Sequence, residues 1–141
     1  MVDYNNPALT VELQIETGDW AVGSALEAVR DFITCAHCGP DAEARLCIVV
    51  EELVANLVEH GNAPPESEIV LKLAAIGADI ALTLSDQGVP FDIRTAGIPD
   101  TIPPDRGGGA GIALVLSWAH VIDYVQVDGR NVLTLVISNN V

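Results

Sequence analysis

The stretch I-V-V-E-E-L-V-A-N-L-V-E-H-G, residues 48–61, interleaves two stripes at helical spacing. Leu46, Val49, Val50, Leu53 and Leu57 recur at steps of three and four, which makes one apolar face of a helix. Glu52, Asn56 and His60 recur at steps of four and form a second stripe, roughly 100° around from the first. Groups at the centre of the buried face would lose their water, and groups opposite it would keep all of theirs. Groups on the shoulder line a cleft, where a carboxylate and an amide oxygen hold a hard cation and polarise a nucleophile. A plain amphipathic helix with a solvated Glu and Asn fits the same residues, so the rest of the chain has to decide between the two.

Upstream, residues 9–15 read L-T-V-E-L-Q-I, apolar at odd positions, as a half-buried strand does. Thr17, Gly18 and Asp19 end it and supply cap-type residues for a helix over residues 20–36, with Val22, Leu26, Val29 and Ile33 as its apolar face. Gly39-Pro40 closes that helix and Asp41 caps the next, which carries the opening stretch and is expected to end in a left-handed Gly61. Downstream, Ile69, Leu71 and Leu73, then Ile80, Leu82 and Leu84, alternate on either side of the turn at residues 77–79 and predict a hairpin. Residues 86–109 have no sustained periodicity and contain Pro90, Pro99, Pro103 and Pro104, and a loop of that length inside a domain tends to be functional. Helical spacing returns over residues 111–120, followed by strands over 121–127 and 132–137 around the turn Asp128-Gly129-Arg130. Paired helices with antiparallel hairpins, rather than β-α-β alternation, predict a two-layer α+β sandwich forming a single domain over residues 1–141.

With 141 residues, half of them apolar, the chain supports one ordinary core and is not disordered. No apolar run approaches the length of a spanning helix and the first residues lack a basic-then-apolar leader, so a soluble, cytoplasmic protein is expected. Six basic against twenty acidic residues leave a net charge of −14, with Lys72 the only lysine. Such a surface repels nucleic acid and anionic lipid, so neither is expected as a direct partner. A polyanion such as a nucleotide would have to be held by backbone N–H groups, helix N-termini and a metal, which favours a magnesium nucleotide site. The three cysteines, Cys35, Cys38 and Cys47, are an odd number, against a disulfide framework. Cys35-Ala-His-Cys38 has metal-ligand spacing but lacks a second pair, and reads as a helix end leading into a turn.

Two glycine signals weigh against the plain-helix reading. Asp86-Gln87-Gly88 stands at the end of a strand, where a carboxylate beside backbone without a side chain lets a flat heterocycle approach and could accept the exocyclic amine of adenine, although taken alone it reads more readily as a plain turn. Arg106-Gly-Gly-Gly-Ala-Gly111 runs into an apolar helix and offers consecutive N–H groups to an anion at the positive end of the helix dipole. It lacks the G-K-[ST] ending of a P-loop and the preceding strand of a dinucleotide fingerprint.

In this order, E-L-V-A-N-L-V-E-H-G (residues 52–61), D-Q-G-V-P-F (86–91) and G-A-G-I-A-L-V (109–115) resemble the N, G1 and G2 boxes of the GHKL ATPase fold. The spacing and short length resemble its branch of anti-sigma-factor serine/threonine kinases. The resemblance implies a Bergerat-type two-layer sandwich, a mixed, mostly antiparallel sheet covered on one face by helices. It implies ATP and Mg²⁺, with Asn56 coordinating the metal and Glu52 as general base for the attacking hydroxyl. Asp86 would read the adenine amine with Gly88 giving the base room, and Thr134 would help hold adenine. Gly109 and Gly111 would sit at the phosphate-facing start of a helix, residues 92–108 would form a lid, and Arg106 would reach the γ-phosphate. His60 would make a structural hydrogen bond at the helix end. The implied partners are an anti-anti-sigma (STAS) protein phosphorylated on Ser or Thr, a sigma factor held inactive by binding, and a second copy in a homodimer. Two departures stand out: Arg94 and Arg106 are the only lid cations, and L-V-L-S-W-A-H after Gly111 lacks a basic residue. A nucleotide-responsive module that sequesters a partner without phosphoryl transfer therefore stays open. The ATP-binding half of a split histidine kinase is disfavoured, because no helical dimerisation region with a phosphoacceptor His is present.

Overall fold

The structure, a computed structural model, describes residues 9–36, 38–97 and 110–138. In chain order these form β1 (Leu9–Glu16), α1 (Ala21–Ala36), α2 (Pro40–His60), β2 (Glu68–Ile76), β3 (Asp79–Asp86), a 3₁₀ turn (Ile93–Gly97), α3 (Ala110–Trp118), β4 (His120–Val127) and β5 (Arg130–Ser138). The five strands make one sheet in the order β1-β2-β3-β5-β4, and every pairing among the described residues is antiparallel. The helices lie on one face of it, so the architecture is the α+β two-layer sandwich.

Register puts the apolar alternation of each strand on that face. Leu13, Leu71, Leu84, Leu133 and Tyr124 form one row across all five strands, and Val11, Leu73, Leu82, Leu135 and Val121 form the next. Ile69, Leu71, Leu73, Ile80, Leu82, Leu84, Leu133, Leu135 and Ile137 are buried there beneath the helices. Both hairpins close with turns suited to the sheet's twist: Gly77 has φ 60°, and Asp128 and Gly129 have φ 51° and 81°, the paired positive values of a type I′ turn.

The face α1 buries differs from the expected one. Val29 and Ile33 are buried as expected, but Val22 and Leu26 are only half-buried, while Ala21, Ala25, Ala28 and Phe32 complete the buried stripe. The small side chains let α1 close onto α2 and the sheet, leaving Phe32 as its bulky anchor. In α2, Leu46, Val49, Val50 and Leu53 are buried with Ala42 and Val54, and Leu57 is half-buried. Its N-cap is Gly39, not Asp41; Pro40 fills the first turn, and Asp41 and Glu43 stand where acidic residues favour the helix dipole.

Gly61 is not left-handed: its φ of −71° and ψ of −25° continue the right-handed path, and the positive φ, 51°, falls on Asn62. Glycine is required at 61 by crowding instead. A Cβ there would stand 2.5 Å from the Leu57 carbonyl oxygen. The last helix ends at Trp118 rather than at His120, which opens β4. No described helix is long and apolar enough to cross a membrane.

Candidate functional site

Glu52, Asn56 and His60 are all half-buried, as a shoulder position demands. From there Asn56 lines a cleft, partly open to solvent, between α2 and the ends of β3, β4 and β5. Leu53, Leu57, Leu84, Phe91, Ile93 and Leu133 give it apolar walls, and Asn56, Asp86 and Tyr124 are its polar members. Apolar walls with a few convergent polar groups are the usual composition of a small-molecule site.

Asp86, the last residue of β3, is 7 % exposed. Its Oδ2 accepts the Gly88 N–H at 2.8 Å and the Asn131 amide at 3.3 Å, so a buried carboxylate is retained by two donors. Gly88 lies so close to the end of α2 that a Cβ would overlap the Gly61 carbonyl oxygen and approach Asp86 Oδ2 to 3.0 Å. The same Gly61 carbonyl accepts the Val89 N–H at 2.7 Å. The loop after β3 is thereby fastened to α2 through backbone, which sets Asp86 beside Asn56.

Glu52 sits one turn before Asn56, where α3 crosses α2. A Cβ on Gly111 would overlap the Glu52 carboxylate, so the glycine lets this side chain lie directly against the first turn of α3, and a larger residue would make it swing aside. At the other end of α3 the Arg45 guanidinium lies 5.5 Å from the Trp118 ring centroid and ties the two helices again. Arg106 and Gly109 lie outside the described residues, as does most of the expected lid. Arg94, the lid cation that is described, is bound to Asp92, Nη2 to Oδ2 at 2.6 Å, and this hydrogen-bonded guanidinium holds the Asp92 carboxyl below its usual range. The pocket lining contains no Lys or Arg among the described residues.

Thr134 is not brought to the pocket. It pairs with Thr83 three positions from Asp86 along β3, and so lies on the sheet face away from the helices. The inward position nearest Asp86 belongs to Asn131, 4 % exposed, which the sequence reading passed over. Tyr124 was also passed over. An irregularity in the β4–β5 register between Val121 and Asp123 inserts one residue, so Val121 and Tyr124 both face inward although three apart. The Tyr124 hydroxyl then accepts the Phe91 N–H at 2.7 Å and holds the loop after β3 over the pocket.

His60 Nε2 lies 3.7 Å from Glu59 Oε2 at the end of α2. Cys35 is exposed, while Cys38 and Cys47 pack against the core. Burial, with Glu43 adding to it, pushes both of those thiols up, away from the thiolate that metal binding requires. His37 lies outside the described residues.

A family model described as the histidine kinase-like ATPase domain matches residues 17–137. A serine/threonine-protein kinase named BtrW, from Bordetella bronchiseptica, is 29% identical over 94 residues, covering 64% of this chain and 66% of that protein, just under two thirds of its length. Among solved structures, the RsbU and RsbW domains of Rv1364c from Mycobacterium tuberculosis superpose with a TM-score of 0.65 at 18% identity, over 94% of this chain and 33% of that one. The present chain thus spans about a third of that protein's length. A chain of the SiaB–SiaC complex from Pseudomonas aeruginosa superposes with a TM-score of 0.57 at 14% identity, over 90% and 88% of the two chains. These two likenesses are of fold, and the family match runs from the turn after β1 to the end of β5. The chain belongs to the histidine kinase-like ATPase domain family and has its GHKL fold.

Proposed function

We propose that this chain is an ATP-dependent anti-sigma factor that binds a sigma factor and phosphorylates an anti-anti-sigma (STAS) protein on Ser or Thr. The observation that supports this most is that Asn56 and Asp86 line one pocket while Glu52, on the same stripe of α2, meets the first turn of α3. In this reading adenine enters between the apolar walls and gives its amino group to Asp86. The phosphates run past Asn56 toward the N–H groups that open α3. The similarity to a protein named a serine/threonine-protein kinase supports a protein hydroxyl as acceptor. A homodimer is part of the same reading.

No three His, Cys, Asp or Glu side chains converge on a cation site among the described residues. A magnesium ion still fits, because it keeps several waters and takes its other oxygens from one or two protein groups and the substrate phosphates. Asn56 is the side chain that would hold it, and the ion would neutralise charge on the phosphates. Glu52 accepts the proton of the Ser or Thr hydroxyl as that oxygen bonds to the γ-phosphorus. The bond from the γ-phosphorus to the bridging oxygen breaks, and ADP leaves with the electron pair.

A second reading, nucleotide-gated partner binding without transfer, is favoured by the lack of a cation among the described residues of the pocket lining and by the pairing of Arg94 with Asp92. One experiment separates the two. Wild type and Glu52→Gln are incubated with labelled ATP, Mg²⁺ and the STAS protein encoded nearest to this chain, and label is followed on Ser and Thr. General-base assistance is worth ~10²–10⁴-fold, so transfer should fall by that factor in the variant at unchanged ATP affinity. No transfer by the wild type to any neighbouring STAS protein, with ATP-dependent capture of a sigma factor intact, replaces the kinase by the binding module.

A further inference from the structure

Asn131 faces Asp86 across β3–β5 and Gln126 across β4–β5. Its Nδ2 donates to the Gly88 carbonyl at 2.8 Å and to Asp86 Oδ2 at 3.3 Å, and its Oδ1 accepts from Gln126 Nε2 at 3.3 Å. A carboxamide nitrogen has two hydrogens, and both are used here. The reversed amide would set its oxygen against a carboxylate and a carbonyl with no proton between them, so its partners fix its orientation. The Gly88 N–H takes a further lone pair of Asp86 Oδ2 at 2.8 Å. Both bonds hold the same carboxylate oxygen, and Oδ1 is left as the acceptor that a ligand in the pocket can use.

We infer that Asn131, held by Gln126, is a positioning residue that clamps Asp86 by one oxygen and thereby makes the pocket select a 6-amino purine over a 6-oxo purine. The inference rests on the nucleotide reading above and adds the device that chooses the base. A 6-amino group offers Oδ1 a proton. A 6-oxo group brings a second acceptor to it, and Asn131 has no free N–H with which to compensate, so a buried polar pair is left unsatisfied. Gln126 is exposed, so it contributes to the clamp from the surface.

The test measures the affinities of ATP and inosine triphosphate, which differ in the 6-substituent, by calorimetry in wild type, Asn131→Ala, Gln126→Ala, Asp86→Asn and the Asn131→Ala/Asp86→Asn pair. The wild type should prefer ATP by roughly tenfold or more, the worth of one hydrogen bond to a charged group. Asn131→Ala should erase most of that ratio and Gln126→Ala part of it, chiefly by weakening ATP. In the Asp86→Asn background, removing Asn131 should change the ratio no further, because it acts through Asp86. Equal loss for both nucleotides, with the ratio kept, would make Asn131 merely structural and overturn the inference. A wild type that binds both equally overturns it and leaves the nucleotide reading standing, whereas one that binds neither overturns both. If Asn131→Ala does not fold, the ratio in Gln126→Ala decides: unchanged, it overturns the inference, and reduced, it supports it.

Discussion

Adding one methyl group at Gly88 and one at Gly23 should move stability in opposite directions. At Gly88 the methyl runs into the Gly61 carbonyl, a backbone atom already bonded to the Val89 N–H, and crowds Asp86. Gly88→Ala should cost about 1–3 kcal/mol, as overpacking does, and weaken nucleotide binding with it. At Gly23, inside α1, nothing lies within 4 Å, so Gly23→Ala should stabilise by about 1 kcal/mol through helix propensity alone. Urea midpoints at an unchanged slope measure both. Glu52, Asn56, Asp86 and the two crowded glycines were legible in the sequence because each stands at a spacing or an element end that chemistry uses. Asn131 and Thr134 were not told apart, because residues 132–137 are apolar at both parities and do not reveal which side faces the helices. Asp86 settles it, since its register partner must share its face.

At the scale of elements, the order of strands and helices followed from periodicity, and the errors came from bulk and from register. The α1 expectation weighted large side chains, whereas the packed face is the alanine stripe around Phe32. Phe32→Ala should therefore destabilise by about 3–5 kcal/mol, and Leu26→Ala, at a half-buried position, by clearly less. Thermal or urea unfolding of the two variants side by side checks it, and equal losses would restore the expected face. The extra residue in β4 was invisible because no periodic pattern announces a bulge, and it is what turns Tyr124 inward. Gly61 was identified for the wrong reason: the helix end needs its missing side chain for close contact, while Asn62 takes the left-handed turn.

Across the whole molecule, a net charge of −14 surrounds a pocket whose described lining holds no cation. On the proposed reading, a triphosphate entering that field would depend on helix-end N–H groups and on a metal it brings with it. The apolar walls and Asp86 would, on that reading, choose the base, α2 and α3 would hold the phosphates between them, and the reacting end would lie at Glu52. On this reading, one cleft is the ATP site. That assignment is tested most directly by a crystal structure with Mg²⁺ and a non-hydrolysable ATP analogue. Adenine should lie among Leu57, Phe91 and Leu133, its amino nitrogen about 3 Å from Asp86 Oδ1, with the phosphates running past Asn56 to the start of α3. An analogue seated on the opposite sheet face beside Thr134, or with its amino group turned away from Asp86, would contradict it.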